Sequence, residues 1–280
     1  MIDFFYALLN PNVPFIRYAL IAGVLSSIAF GIIGTFVVVK RMTYIAGAIS
    51  HTSLGGIGLS LWLSTVAGIG FFTPIIGALI ISLITGLIIS YTIIKKDERL
   101  DTVIGTIWAV GMSIGLIFIY ITPGYGDPMS YLFGNILLIS KNDLLIIIIL
   151  NIVIIFASVL FHNQFLAIFF DEELAQIRGI KTYIYQILLL LLISLTIILL
   201  ITIVGIVMVI ALLTIPAAIA GLFSKKMKVM MILAVIICSV VTVTGLIVSY
   251  ILNLPTGSVT ILISGILYLF AKIFKYLIKK

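Results

Sequence analysis

Long apolar stretches, separated by short polar or charged segments, make up most of the sequence. A helix needs about 20 apolar residues to cross the ~30 Å hydrocarbon core of a bilayer, and nine stretches reach or approach that length. They predict an all-α fold, a polytopic transmembrane helical bundle of about nine spans. The predicted spans are Phe15–Val39, Tyr44–Ser64, Phe71–Ile94, Thr102–Thr122, Leu144–Phe161, Tyr183–Val204, Gly205–Phe223, Val229–Leu252 and Ser258–Ile278.

Two regions depart from this simple alternation. Tyr183–Phe223 has no polar loop, so it holds either two full spans or one span that is short, broken or re-entrant. Within it, Pro216 lacks a backbone donor, which predicts a helix break and a candidate hinge. Between the fourth and fifth spans, Pro123–Asp143 contains YLFGNILLIS (Tyr131–Ser140). That run is too short to cross and predicts an interfacial or re-entrant helix.

The basic residues fall almost entirely on one side of the predicted spans. Only Arg17 and Lys141 of the 16 Lys and Arg residues lie on the other side. The positive-inside rule makes the basic side cytoplasmic, which places the N-terminus outside and the C-terminus inside. The residues on the predicted cytoplasmic side are Lys40, Arg41, Lys95, Lys96, Arg99, Arg178, Lys181, Lys225, Lys226, Lys228, Lys272, Lys275, Lys279 and Lys280. Because they cluster at span ends, the net charge of +7 indicates membrane orientation and no nucleic-acid partner.

The composition supports a membrane protein. The chain is 63% hydrophobic and 9% charged, more apolar than a soluble core of 280 residues requires. Its start carries Asp3 and no basic residue before the first apolar run, so we expect retained sequence and not a cleaved signal peptide. Neither a soluble domain nor a Pro- or Ser-rich linker is visible. Residues 1–280 are therefore predicted to form a single transmembrane domain.

His51 is the main candidate functional residue. It lies in an uncharged part of the second predicted span, KRMTYIAGAISHTSLGGIGL, and an ionisable group at membrane depth is by default a functional-site hypothesis. Gly47 and Gly55 lie one helical turn before and after it, which predicts that the ring faces a slot without side chains, lined also by Ser50. The alternative is a small-residue packing face, in which His51 is hydrogen-bonded to a neighbouring helix.

The second candidate is the charged segment, residues 163–182, on the predicted cytoplasmic side. Asp171, Glu172 and Glu173 open a short helix and Arg178 and Lys181 close it, which complements the helix dipole. Phe170, Leu174 and Ile177 fall on one face of that helix. An apolar stripe between charged ends is suited to docking into a groove of another protein. The alternative is an interfacial helix that rests on lipid headgroups.

Five stretches resemble, in order, a known family. FFDEELAQIRGI (Phe169–Ile180) is similar to the coupling segment of the zinc/manganese-type ABC importer permeases, with its FDPEFARxxGI pattern. GIVMVIALLTIPAAIAGLF resembles VGxLLVxALLxxPAA, and KRMTYIAGAISHTSLGG resembles RRMxxxGDALSHAxLPG. YLFGNILLIS and LNLPTG are similar to two outer segments of the family. The resemblance covers most of the chain.

The resemblance implies a permease subunit of the prokaryotic cell membrane that imports a divalent transition metal, zinc above all, with manganese or iron as further candidates. It implies a homodimer surrounded by membrane lipid, a separate ABC ATPase subunit and an extracytoplasmic metal-binding protein, with no permanently bound cofactor. His51 is then a metal ligand, and Gly47, Ser50 and Gly55 line the pathway. The implied ATPase-coupling residues are Phe170, Asp171, Glu173, Leu174, Ala175, Ile177 and Gly179.

One departure from the family pattern concerns the metal. The pattern has an acidic residue four positions before the histidine, where this chain has Gly47. A carboxylate and an imidazole one turn apart would present two metal ligands on one helix face. A single imidazole is not a metal site, so we expect a symmetric dimer to bring two His51 side chains together.

Two other classes of function are weighed against this one. A channel or secondary carrier is disfavoured because the spans contain no Asp or Glu to bind a driving ion. An intramembrane enzyme is disfavoured because Ser50 and His51, as neighbours on a helix, point about 100° apart. The sequence has no GxxxxGK[ST] motif, so ATP hydrolysis is expected in a partner chain.

Overall fold

The computed structural model describes residues 14–95, 99–124 and 139–278, together with Tyr6, Leu8 and Leu132. Eleven helices and no strand lie within this part of the chain. They are α1 Pro14–Val39, α2 Thr43–Thr65, α3 Pro74–Lys95, α4 Leu100–Ile121, α5 Lys141–Leu160, α6 His162–Phe170, α7 Glu172–Ile177, α8 Thr182–Val204, α9 Ile206–Phe223, α10 Met227–Leu252 and α11 Thr256–Ile278. The all-α prediction is confirmed for these residues.

Seven of these helices are long and apolar enough to cross a membrane, namely α1, α3, α4, α5, α9, α10 and α11. The other two predicted spans correspond to α2 and α8. Helix α2 is 23 residues long, but its glycines, serines and His51 lower its hydropathy. The count of nine spans and the orientation of the termini stay predictions. The predicted helix Tyr131–Ser140 lies almost entirely outside the described residues.

The interruption between α8 and α9 falls at Gly205, where the predicted spans Tyr183–Val204 and Gly205–Phe223 meet. Gly205 has φ 83° and ψ 156°, a conformation that only glycine adopts without strain. Helix α9 continues without a break through Pro216, because neighbouring groups can re-satisfy a freed carbonyl in a membrane helix. The predicted break at Pro216 is therefore wrong, and Tyr183–Phe223 divides into two helices.

The helices fall into two compact units. The first comprises residues 1–38, 132–155 and 200–280, and the second comprises residues 39–131 and 156–199. In the first unit, α1 approaches α10 so closely that a side chain at Gly31 would collide with Val235. On the same helix, a side chain at Gly34 would collide with the Leu213 carbonyl of α9. The prediction of one domain over residues 1–280 stays a prediction.

In the second unit, α2 is held closely between α3 and α4. A Cβ atom at Gly55 would lie 2.7 Å from the carbonyl oxygen of Gly111 in α4. Gly56 approaches the backbone of α3 at Gly77 still more closely, and so does Gly58 that of α4 at Gly115. Small residues let helix backbones touch in this way. The glycines of α2 therefore serve helix packing, and they fix α4 beside His51.

Candidate functional site

His51 lies in the ninth position of α2, well inside the helix and half-buried. The helix begins after Arg41, whose φ of 58° turns the chain. The carbonyl of Met42 then accepts hydrogen bonds from the amides of Ile45 and Ala46 at 3.0 and 3.1 Å. Fifteen residues of α2 are buried, from Ile45 to Leu61. A half-buried imidazole is thus carried by one of the most enclosed helices described.

The His51 ring stacks on the indole of Trp108, a residue of α4. The two ring centroids are 4.6 Å apart and the planes differ by 16°. The same indole covers Gly47, where a Cβ atom would lie 3.1 Å from Trp108 Cζ3 and 3.2 Å from Cη2. The space beside Gly47 is therefore filled by a tryptophan, and the expectation of a slot without side chains is wrong.

Sequence reasoning missed Trp108. It is one of only two tryptophans in the chain, and it precedes Gly111 and Gly115 at helical spacing on the same face of α4. This series of one large and two small residues lies against Gly47, Gly55 and Gly58 of α2. The series is the one sign of the contact that the sequence contains. Hydropathy alone cannot show that these two helices are partners.

The remaining predicted pathway residues are also in close packing contacts within the second unit. Ser50 is fully buried, and its hydroxyl donates to the Ala46 carbonyl of its own helix at 2.9 Å. That bond keeps the hydroxyl on its own helix backbone and gives it no catalytic geometry with His51. Gly55 lies against α4 and also borders an open groove of about 390 Å³ between α2, α3 and α4. The groove is mainly apolar, with hydroxyls from Thr52, Thr85 and Thr106.

The described residues offer no ready-made metal cage. Within residues 14–95, 99–124 and 139–278, no three or more His, Cys, Asp or Glu side chains are grouped closely enough to hold a metal ion. His51 Nδ1 is buried and has no hydrogen-bond partner in the described structure. One imidazole is too few ligands for a stable metal site, so the described residues do not form such a site by themselves.

The charged segment forms two short helices. Helix α6 ends at Phe170, and Asp171 then caps α7, because its Oδ1 accepts a hydrogen bond from the Leu174 amide at 2.9 Å. Gly179 follows α7 with φ 81°, a left-handed conformation that suits glycine. The two acidic residues in the first turn, Glu172 and Glu173, complement the helix dipole as predicted.

The predicted apolar stripe of the charged segment is exposed, but it does not lie on one helix as predicted, because Phe170 ends α6 and Leu174 and Ile177 belong to α7. Phe170, Leu174 and Ile177 are 85%, 45% and 83% exposed. Ala175 is only 2% exposed, so it packs inside the subunit and leaves no surface for a partner. These exposed side chains are compatible with both predicted alternatives, contact with another protein and contact with lipid headgroups.

Lys40, in the turn between Val39 and the start of α2, holds the charged segment. Its Nζ donates to the Ile168 carbonyl in the last turn of α6 at 3.1 Å. The same Nζ lies 3.6 Å from Glu172 Oε2 at the start of α7. From the sequence, Lys40 was used only to predict membrane orientation. Its contact with Ile168, 128 positions away, leaves no local pattern in the sequence.

The chain is similar to known transport proteins over almost its whole length. It is 37% identical to a probable metal transport system membrane protein of Chlamydia pneumoniae, over 87% of this chain and 83% of that protein. It is 33% identical to the manganese transport system membrane protein MntC of Listeria monocytogenes, over 93% and 90% of the two chains.

A solved structure has the same fold. PsaBC from Streptococcus pneumoniae, in complex with a Fab, superposes with a TM-score of 0.84 at 30% identity, over 97% of this chain and 95% of that one. Together with the seven apolar helices, these relatives identify a multi-pass protein of the bacterial cytoplasmic membrane. Relatives of this kind are transport components and not enzymes. Residues 12–275 match the ABC 3 transport family, and the chain belongs to that family.

Proposed function

We propose that this chain is the permease subunit of an ABC importer that carries a divalent transition metal ion into the cytoplasm. The observation that carries the choice of cargo is the single imidazole of His51, held inside an uncharged helix. Imidazole is a ligand for zinc and its neighbours in the first transition row. The names of the Listeria and Chlamydia relatives, which specify manganese and metal, support the same class of cargo.

Two copies of the chain are needed for a useful metal contact. Among the described residues His51 belongs to no group of three or more metal-binding side chains, whereas a symmetric homodimer doubles every ligand about its axis. Two imidazoles still make a weak site. Weak binding suits a pathway, because an ion must leave as readily as it enters. In this proposal His51 lines the pathway together with Gly55, which borders the groove between α2, α3 and α4. Gly47 and Ser50, the other two predicted lining residues, could join them only if Trp108 and the packing around Ser50 move during transport.

Zinc is the preferred cargo in this proposal, and manganese is the second candidate. A site built from imidazole without carboxylate favours zinc, which accepts nitrogen more readily than manganese does. The name of the Listeria relative favours manganese instead. Iron is a third candidate of the same ionic class.

Energy is proposed to come from a separate ATPase that docks on the charged segment. The exposed side chains of Phe170, Leu174 and Ile177 support this contact. A metal-binding protein outside the cell is proposed to deliver the ion near Pro123–Asp143 and Asn253–Gly257. Most of the first of these two loops lies outside the described residues, whereas Asn253 ends α10 in a left-handed conformation with φ 52°.

The test is metal-stimulated ATP hydrolysis and uptake in liposomes that contain the permease, its ATPase and the metal-binding protein. We expect zinc, manganese or iron to stimulate both activities, and His51→Ala to abolish uptake while the ATPase still co-purifies. Undiminished uptake by His51→Ala would remove His51 from the pathway.

The permease alone, without its ATPase, is expected to concentrate no metal in liposomes. Concentration of metal against a gradient by the subunit alone would instead support a secondary carrier.

A further inference from the structure

Trp108 of α4 contacts both His51 and Gly47 of α2. We propose that Trp108 is a positioning residue for metal selection: its indole orients the His51 imidazole and, paired with Gly47, excludes a second ligand from the same helix face. This inference rests on the proposed function, because it assumes that the cargo meets His51.

The orienting role follows from what holds the imidazole ring. A metal-binding histidine is normally fixed by a hydrogen bond from its second ring nitrogen to a carboxylate or carbonyl. His51 Nδ1 is buried and makes no such bond within the described structure. The nearly parallel indole, 4.6 Å away, instead restricts the ring. Packing against Trp108 therefore takes the place of the usual hydrogen bond.

The position of the indole is itself fixed by the backbone. On α2, the Thr52 hydroxyl donates to the Ile107 carbonyl of α4 at 3.2 Å, next to Trp108. One turn further, Gly55 and Gly111 bring the two backbones into contact. These backbone contacts fix the start of the Trp108 side chain beside α2, and the partly buried indole then packs on His51 and Gly47.

The excluding role follows from the space at residue 47. Residues four apart on a helix face the same side, so position 47 is where a second ligand on α2 would stand beside His51. Any side chain there would begin with a Cβ atom 3.1–3.2 Å from the indole. At this distance the indole would have to shift by a few tenths of an ångström to admit a side chain. Gly47 and Trp108 are thus a size-matched pair that disfavours a second ligand beside His51 on this face of α2. Such a surface favours a nitrogen-preferring divalent cation such as zinc over manganese.

The experiment measures zinc and manganese uptake by the complete transporter in liposomes for Trp108→Ala, Trp108→Phe and Trp108→Leu. We expect Trp108→Ala to raise the KM for zinc about tenfold, the size of effect seen when support for a metal ligand is lost, with little change in maximal rate. Phenylalanine keeps an aromatic face and should restore most of the affinity, whereas leucine keeps only volume and should not. An unchanged KM in Trp108→Ala, or equal rescue by leucine, would overturn the positioning role.

A paired variant tests the exclusion. Gly47→Asp alone is expected to lower the folded yield, because the new side chain meets the indole. Gly47→Asp combined with Trp108→Ala makes room for a carboxylate, and we expect the manganese-to-zinc ratio of kcat/KM to rise about tenfold above that of Trp108→Ala. An unchanged ratio would refute the selection role. If His51→Ala transports normally, the proposed pathway fails instead, so the two failures are distinguishable.

Discussion

The ammonium group of Lys40 lies 3.6 Å from the carboxylate of Glu172. It also donates a hydrogen bond to the Ile168 carbonyl, so one side chain joins the end of α6 to the start of α7. Lys40 precedes α2 by three residues, and α2 carries His51. The charged segment is therefore attached to the turn that precedes the helix holding the candidate metal contact.

Replacing Lys40 by methionine should uncouple the two regions without unfolding the protein. A partly exposed ion pair contributes at most about 1 kcal/mol, so the melting temperature is expected to change little. The amount of metal transported per ATP hydrolysed should fall several-fold, because a movement of the charged segment would no longer be transmitted to α2. The measurement is parallel uptake and ATP hydrolysis in liposomes that contain the complete transporter.

Two variants control for this effect. Lys40→Arg keeps a donor and a positive charge and should retain most of the coupling. Glu172→Gln removes the ion pair but leaves the bond to the Ile168 carbonyl, so its effect should be intermediate. A wild-type ratio of transport to hydrolysis in Lys40→Met would show that Lys40 only marks membrane orientation.

Gly55→Ala should destabilise the second unit. The added Cβ atom would lie 2.7 Å from the Gly111 carbonyl oxygen, a backbone atom that cannot turn aside. Overpacking of this kind costs about 1–3 kcal/mol, which a thermal melt of the purified protein in detergent should report. Gly105→Ala is the matched control, since Gly105 lies in α4 and nothing stands within 4 Å of its Cβ direction. That variant should be neutral or slightly more stable; equal losses in both would contradict the packing argument.

Hydropathy was sufficient to predict most of the helices. The predicted span Phe15–Val39 became Pro14–Val39, and Val229–Leu252 became Met227–Leu252. These bounds are predictable because the hydrocarbon core demands a minimum apolar length and charges gather at its edges. The cap at Asp171 was predictable for a similar reason, since helix ends have local chemical requirements.

Contacts between helices were not predictable in this way. The stacking of His51 on Trp108 depends on which helix lies beside α2, and every apolar helix is equally compatible with lipid. The same limit hid the bond from Lys40 to Ile168. The boundary between Tyr183–Val204 and Gly205–Phe223 was predicted at the right place, whereas the additional break at Pro216 was not observed, because a proline is compatible with a continuous membrane helix.

Leu174→Asp tests the proposed docking of an ATPase. Leu174 is half-exposed on the stripe with Phe170 and Ile177, so an aspartate there is tolerated by the subunit. In an apolar interface the same carboxylate would be buried without a partner, which is strongly unfavourable. We expect the ATPase to be lost when the tagged permease is purified. Leu174→Met keeps the apolar surface and should retain it; recovery of the ATPase at wild-type yield with Leu174→Asp would refute the docking site.

Asp171→Ala tests whether α7 must be preformed for that docking. Its carboxylate accepts the Leu174 amide hydrogen bond at 2.9 Å, and loss of such a cap costs about 1 kcal/mol. Hydrogen exchange at the Leu174 amide should then accelerate about fivefold, since 1.4 kcal/mol corresponds to a factor of ten. Asp171→Ser keeps an acceptor, so its Leu174 amide should exchange at the wild-type rate.

If a partner binds only the folded helix α7, the affinity of the Asp171→Ala variant for that partner should fall by a similar factor, because the binding-competent fraction is reduced. Unchanged affinity despite faster exchange would mean that the partner recognises the exposed side chains regardless of helix formation.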